Sequence, residues 1–172
     1  MKRVMIVGGS GSGKSTLARA LGARTGLPVY HMDHIHWQPG WQPRPTAARK
    51  AMALEVENRD AWIFEGGFST TQAHRLSRAD TFIWIDLPVS LRLWRVTRRM
   101  VMHWGRTRPD LPDGCPEGFH GETLDFYRWI WRTRNSNRDR LLQLMAGAHD
   151  GVTLHHLTTR AQVRLFLEHL PC

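Results

Sequence analysis

The sequence predicts an α/β fold, a five-stranded parallel sheet covered by helices on both faces. Three observations lead there. Short apolar runs alternate with helical patterns along the chain. The runs are continuous rather than alternating, as in strands buried on both faces. A glycine-serine loop joins the first run to the first helix. The 172 residues suit one domain, on a prior of roughly 100–200 residues per domain. With 41% hydrophobic and 23% charged residues, collagen-like, coiled-coil and disordered classes are excluded. No apolar stretch is long enough for a membrane span. The run Val4 to Val7 is too short for a signal-peptide core. Two cysteines, Cys115 and Cys172, cannot form a disulfide framework, so a reducing cytoplasm is expected.

The elements follow in order. Lys2 to Val7 reads as the first strand, and Gly8 to Gly13 as a loop. Lys14 to Gly22 is a helix, with Leu17 and Leu21 four apart on one face. Leu27 to Met32 is a second strand; His34 to Pro45, rich in Pro and Trp, is loop; Thr46 to Asn58 is helical. Ala61 to Glu65 is a third strand closed by Gly66 and Gly67, and Thr81 to Leu87 a fourth closed by Pro88. Ser90 to Trp104 carries Leu93, Val96, Met100 and Trp104 at helical spacing. Gly105 to Gly121 is a Gly/Pro-rich loop. Its length passes the roughly 12–15 residues beyond which loops tend to be lids or binding loops. Glu122 to Ala146 is helical with a break near Asn135 and Asn137, Gly151 to Leu157 a fifth strand, and Arg160 to Leu170 a closing helix.

The strongest motif is GGSGSGKST, comprising Gly8, Gly9, Ser10, Gly11, Ser12, Gly13, Lys14, Ser15 and Thr16. It fits G-x-x-x-x-G-K-[ST] in the required context of strand before and helix after. The glycines let successive N–H groups turn toward an anion, and the helix adds its positive dipole end. Lys14 can reach the β and γ phosphates of ATP, and the Ser15 hydroxyl can bind Mg²⁺. The chain has neither the N-K-x-D of guanine-reading switches nor an Asp-Glu pair of the motor type. A small kinase remains.

Ligands of open parallel sheets bind outside the carboxyl ends of the strands. Asp33, Glu65 and Asp86 are placed there. Asp33 is expected on the substrate side as base or orienter. Glu65 is expected on the metal side, Gly66 and Gly67 allow close approach of a ligand, and Asp86 ends a strand. His31, His34 and His36 surround Asp33 without the complete spacing of a zinc site, and Cys115 with His120 is weaker still.

The formal charge is +9, and all but three of the 24 basic residues are arginine. Such an excess suits a nucleic-acid binder or an enzyme that grips phosphates. Arg92, Arg95 and Arg99 share a helix face; Arg128 with Arg132 and Arg134 with Arg138 are each four apart. Around a loop that itself holds Arg106 and Arg108, they suggest a phosphate cage under a lid. Of the eight tryptophans, Trp62 and Trp84 belong to core strands, while Trp37 and Trp41 can line a pocket.

Together with YHMDHIHWQPGW, WIFEGGFSTT, RADTFIWIDLP, LWRVTRRM, GRTRPDLPDGCPEG and FYRWIWRTR, the loop motif gives the chain a family likeness. It resembles, nearly end to end, the small bacterial P-loop proteins of the adenylate-kinase-related, or DNA topology modulation, group. The resemblance implies a nucleoside-monophosphate-kinase-like three-layer sandwich with strand order 2-3-1-4-5. It implies one domain over residues 1–172, with a lid at about 105–121. It also implies that Arg95 and Arg99 contact adenine and phosphate, that Arg108 is the lid arginine, and that Arg75 serves the substrate side. The chain departs from the group at Glu65-Gly66-Gly67, where Asp-Gly-Asn is common.

The expected function is transfer of the γ-phosphoryl group of ATP, with Mg²⁺, to a small-molecule or nucleotide acceptor. Lys14, Asp33 and Arg108 are the expected catalytic residues, and Arg134 and Arg138 join Arg75 on the acceptor side. Two rivals are a nucleic-acid-associated regulator that uses ATP as a ligand, and a simple ATPase.

Overall fold

The computed structural model describes residues 1–119 and 121–169. His120, Cys172 and the last residue of the expected closing helix lie outside them. In chain order the elements are β1 (Arg3–Gly8), α1 (Lys14–Thr25), β2 (Val29–His31), α2 (Met32–His36), β3 (Trp37–Gln38), β4 (Gln42–Pro43), α3 (Thr46–Glu57), β5 (Trp62–Glu65), α4 (Ser69–Arg78), β6 (Thr81–Ile85), α5 (Val89–Met102), α6 (Thr123–Arg132), α7 (Arg134–Ala146), β7 (Thr153–Leu157) and α8 (Arg160–Glu168).

Five strands form one parallel sheet in the order β2-β5-β1-β6-β7. Numbered within that sheet alone, the order is the expected 2-3-1-4-5. β1 lies at its centre, paired with β5 on one side and β6 on the other. The pleat sends alternate residues to opposite faces. Met5 and Val7, with Trp62, Phe64, Phe82 and Trp84, pack toward α3, α4 and α7. Val4 and Ile6, with Ile63, Ile83 and Ile85, pack toward α1 and α8. Burial on both faces explains why these strands are apolar throughout.

The structure differs from the sequence reading in four places. α1 runs on to Thr25, because Gly22 does not end it. A Cβ at Gly22 would stand 2.4 Å from the Val29 side chain, so the glycine admits the neighbouring strand and the helix continues. The stretch His34 to Pro45 is not plain loop. It holds α2 and the antiparallel hairpin β3–β4. α4 has no apolar periodicity in the sequence, since its buried face is Thr71, Gln72, Arg75 and Leu76 rather than an apolar stripe. The helix break after Glu122 falls at Thr133, whose side chain bonds the Trp129 carbonyl at 2.7 Å and so competes with the helical ladder.

Arg75 belongs to this framework. Its side chain is fully buried, with Nε donating to Glu57 Oε1 at 3.0 Å and Nη1 to the Gly66 carbonyl at 2.9 Å. The guanidinium lies 3.7 Å from the Phe64 ring centroid. Glu57 also accepts from Thr71 Oγ1 at 2.7 Å and pairs with His74 at 2.8 Å. Arg75 therefore braces α3, α4 and the turn at Gly66 and has no surface in the cleft, against the substrate-side role the resemblance implied. Arg75→Lys keeps the charge but loses the fork that spans both acceptors. It should lower unfolding free energy by about 1–2 kcal/mol, measured by urea denaturation.

Candidate active site

One cleft of about 2570 Å³ opens at the carboxyl ends of the sheet strands. Single ligands usually occupy about 300–1,000 Å³, so it has room for two. Its floor is the glycine-rich loop between β1 and α1. Gly11 takes a φ of 77°, and a Cβ there would meet the Arg92 carbonyl at 2.3 Å. No other residue fits that turn without moving α5. α1 starts with no side-chain cap, leaving its first N–H groups to face a ligand. The buried Ser12 hydroxyl has no hydrogen-bond partner. Lys14 reaches back to the Gly9 carbonyl at 3.3 Å. An open helix end, an orphaned hydroxyl and a lysine in one concavity fit a polyphosphate.

Arg92 and Arg95 fasten this loop from outside. Arg92 Nε donates to the Ser10 carbonyl and Arg95 Nη1 to the Ser12 carbonyl, each at 3.0 Å. Arg95 and Arg99 both line the cleft. Burial is the main influence that lowers both guanidiniums, and Arg99 also feels Arg108.

Asp33, on α2, and Glu65, at the end of β5, line the same cleft as the loop. Asp33 is open to the cleft on one side. Desolvation by the surrounding walls, then the Glu65 charge, raises its carboxyl above the ordinary range, with Lys14 and Arg108 opposing. Glu65 is buried, and burial alone would raise it. The bond from His31 Nδ1 at 2.7 Å, the Lys14 charge and the Ser15 hydroxyl outweigh that and hold it low. The two neighbouring acids are thus driven apart, as groups with different proton duties require. Gly66 follows at φ 107°, where a Cβ would stand 2.7 Å from Met32 Cβ. That close approach brings α2, and Asp33 with it, against the end of β5.

The three histidines separate. His31 serves Glu65, His34 bonds the Pro109 carbonyl at 3.0 Å, and His36 meets Arg49 Nη1 at 2.9 Å. Among the described residues no group of three or more His, Cys, Asp or Glu side chains could hold a metal ion.

The segment between α5 and α6 is more ordered than a Gly/Pro loop suggests. Bridges Trp104–Glu117 and Thr107–Pro116 fold it on itself, and Leu111 and Cys115 are buried. It is also tied to the hairpin. Gly40 N–H donates to the Gly114 carbonyl at 2.8 Å, Trp41 Nε1 to the Pro116 carbonyl at 3.0 Å, and Cys115 Sγ to the Gln38 carbonyl at 3.2 Å. Arg108 lines the cleft but is held by Asp110 and Glu117. Asp110 lies low, because Arg108, a backbone N–H, Ser15 and Arg19 outweigh its burial. Neither acid is among the expected site residues, although both lie within RTRPDLPDGCPEG.

Arg134 and Arg138 do not line the cleft, contrary to expectation. Arg134 covers the Trp131 ring at 4.3 Å and bonds the Trp131 carbonyl. Arg138 pairs with Asp86 at 2.9 Å, beside His156. Arg49 on α3, Gln72 on α4 and Arg140 on α7 stand in the cleft wall instead. Spacing could not single them out, since arginines recur on nearly every helix.

The fold is that of small P-loop kinases, with sequence identities too low to carry more than the fold. A shikimate kinase from Acinetobacter baumannii matches with TM-score 0.59 and 19% identity, over 98% of this chain and 89% of that one. A deoxyadenosine kinase from M. mycoides, solved with bound dATP, matches with TM-score 0.57 and 14% identity, over 96% and 97%. A sugar kinase from Janibacter sp. matches with TM-score 0.55 and 15% identity, over 98% and 91%. No family model and no curated protein matches the chain, so the topology modulation group finds no support in these comparisons. No helix among the described residues is long and apolar enough to cross a membrane.

Proposed function

We propose that the chain is an ATP-dependent phosphotransferase that acts on the hydroxyl or phosphate of a small acceptor. One observation carries this reading. The glycine-rich loop and the Asp33–Glu65 pair open on the same cleft, close enough that the Lys14 charge acts on both carboxylates. A nucleotide store would need the loop alone.

In this reading Gly8 to Thr16 hold the phosphates of ATP and Lys14 offsets their charge. Ser15, with Glu65 behind it, would hold Mg²⁺, which supplies charge neutralisation at the phosphates when bound. Asp33 accepts the proton of the acceptor hydroxyl or holds it in line. His31 keeps Glu65 ionised and turned toward Ser15. Arg99 and Arg108 lie where a closing lid would bring them onto the phosphates.

The test is ADP formation measured against nucleotides, sugars and hydroxy acids. Turnover that depends on one class supports the proposal. Hydrolysis at one unchanging rate whatever is added would make the protein a simple ATPase. A second outcome follows for the lid. A non-hydrolysable ATP analogue should slow amide hydrogen exchange across residues 105–119, since Arg99 and Arg108 gain partners. Exchange that stays unchanged there would leave the segment a surface connection.

A further inference from the structure

One buried acid of the cleft comes from outside the sheet and its nearest turns. Asp110 belongs to the segment between α5 and α6 and is 3% exposed. It lines the cleft together with both of its cations. Arg19 Nη1, on α1, donates to its Oδ1 at 3.3 Å, and Arg108 Nη1 donates to its Oδ2. The Ser15 hydroxyl, where the glycine-rich loop passes into α1, interacts with two carboxylates, Glu65 and Asp110. The Asp110 charge also reaches Asp33 and Arg99.

A structural acid in this protein is placed differently. Glu57 is buried too, but its guanidinium partner Arg75 is fully buried and does not line the cleft. Asp110 instead occupies two guanidiniums that face the cleft, beside the hydroxyl expected to hold Mg²⁺. A phosphate chain entering alone meets a fixed negative charge there. It can take Arg19 and Arg108 only by stripping Asp110 of its partners, which leaves a buried carboxylate uncompensated. That cost disappears when the phosphates arrive with a divalent cation, because Asp110 then keeps a positive neighbour after giving up its guanidiniums. A hydroxyl and two carboxylates, completed by phosphate oxygens, are also the hard oxygen donors that suit Mg²⁺.

Resting on the kinase reading above, we propose that Asp110 makes the site selective for the metal-bound nucleotide. It sets a charge beside Ser15 that penalises ATP without Mg²⁺ and spares ATP with it. The same carboxylate that holds Arg108 in the empty protein releases it to the phosphates only when the metal-bound nucleotide arrives.

The experiment reads binding without turnover. Calorimetry with a non-hydrolysable ATP analogue, once in Mg²⁺ and once in EDTA, gives the ratio of the two affinities. Asp110→Asn keeps the shape and loses the charge, and Arg108 keeps Glu117 as its partner. This variant should gain affinity in EDTA without gaining it in Mg²⁺, so that the ratio falls about tenfold or more. Arg19→Gln works in the opposite sense. Arg19 lies on α1 with its side chain 44% exposed, so the fold should tolerate the change. Its loss leaves Asp110 less compensated and should widen the ratio. A merely structural role for Asp110 would lower both affinities together and leave the ratio where it was. A ratio that Asp110→Asn leaves unmoved or raises overturns the proposal while the kinase reading stands. Should that variant fail to fold, a ratio unmoved by Arg19→Gln does the same. An analogue that binds the parent protein in neither condition overturns both readings.

Discussion

Lys14→Ala should lower ATP affinity by at least about a hundredfold and leave thermal unfolding nearly unchanged. Among the described residues the lysine bonds the Gly9 carbonyl at 3.3 Å, and its side chain is only half-buried. Little is lost when the protein is empty. With ATP bound, the same ammonium would meet two phosphates, each charge-assisted contact contributing about 1.5–3 kcal/mol. Calorimetry on the two proteins decides it. Equal affinities would remove the glycine-rich loop from the mechanism.

Asp33→Asn should separate binding from chemistry. The variant keeps the shape and loses the charge. ATP affinity should change little, while acceptor-dependent turnover falls by about 10²-fold or more, the range for loss of a general base or orienter. If ATP affinity falls instead, Asp33 serves the nucleotide and Glu65 becomes the acceptor-side acid. The pH profile gives a second reading. Desolvation and Glu65 raise the Asp33 carboxyl, so the parent's acid limb should lie above the ordinary carboxylate range of about 3.9 and vanish in the variant. Stability should move the other way. A carboxyl raised in the folded state is penalised when ionised, so Asp33→Asn should be the more stable protein at neutral pH. That advantage should fade as the pH falls through the raised value and the parent's carboxyl takes its proton. Urea denaturation at two pH values checks this.

The parts of the molecule that could be read from the sequence were those where chemistry repeats along the chain. The strands were legible because both their faces are buried, and GGSGSGKST because Gly8, Gly13, Lys14 and Ser15 fall in the spacing of a phosphate loop. Asp33 and Glu65 were legible as acids at strand ends. What escaped was polar burial. Glu57, Thr71 and Arg75 look like a solvated surface in sequence, yet in the fold Thr71 and Arg75 of α4 both bond Glu57 at the end of α3. The arginine spacing on α5 identified a face correctly. It could not say that Arg92 and Arg95 would spend themselves on backbone carbonyls of the loop. Arg134 and Arg138 show the same regular spacing, with partners outside the cleft. Periodicity tells which residues share a side; only the tertiary fold tells what that side meets.

The hairpin β3–β4 lines the cleft through Trp37 and Trp41, and the α5–α6 segment lines it through Arg108, Asp110 and Glu117. Three hydrogen bonds, from Gly40 N–H, Trp41 Nε1 and Cys115 Sγ, sew the two together. The rim of the cleft is therefore one continuous strap rather than two independent flaps. A strap fixed at both ends cannot lift over one ligand and stay down over the other. Whatever one ligand gains by drawing it in, the second must gain equally, because coupling free energy is reciprocal. Each ligand would tighten the grip on its companion, and the two products would have to leave through a single shared opening.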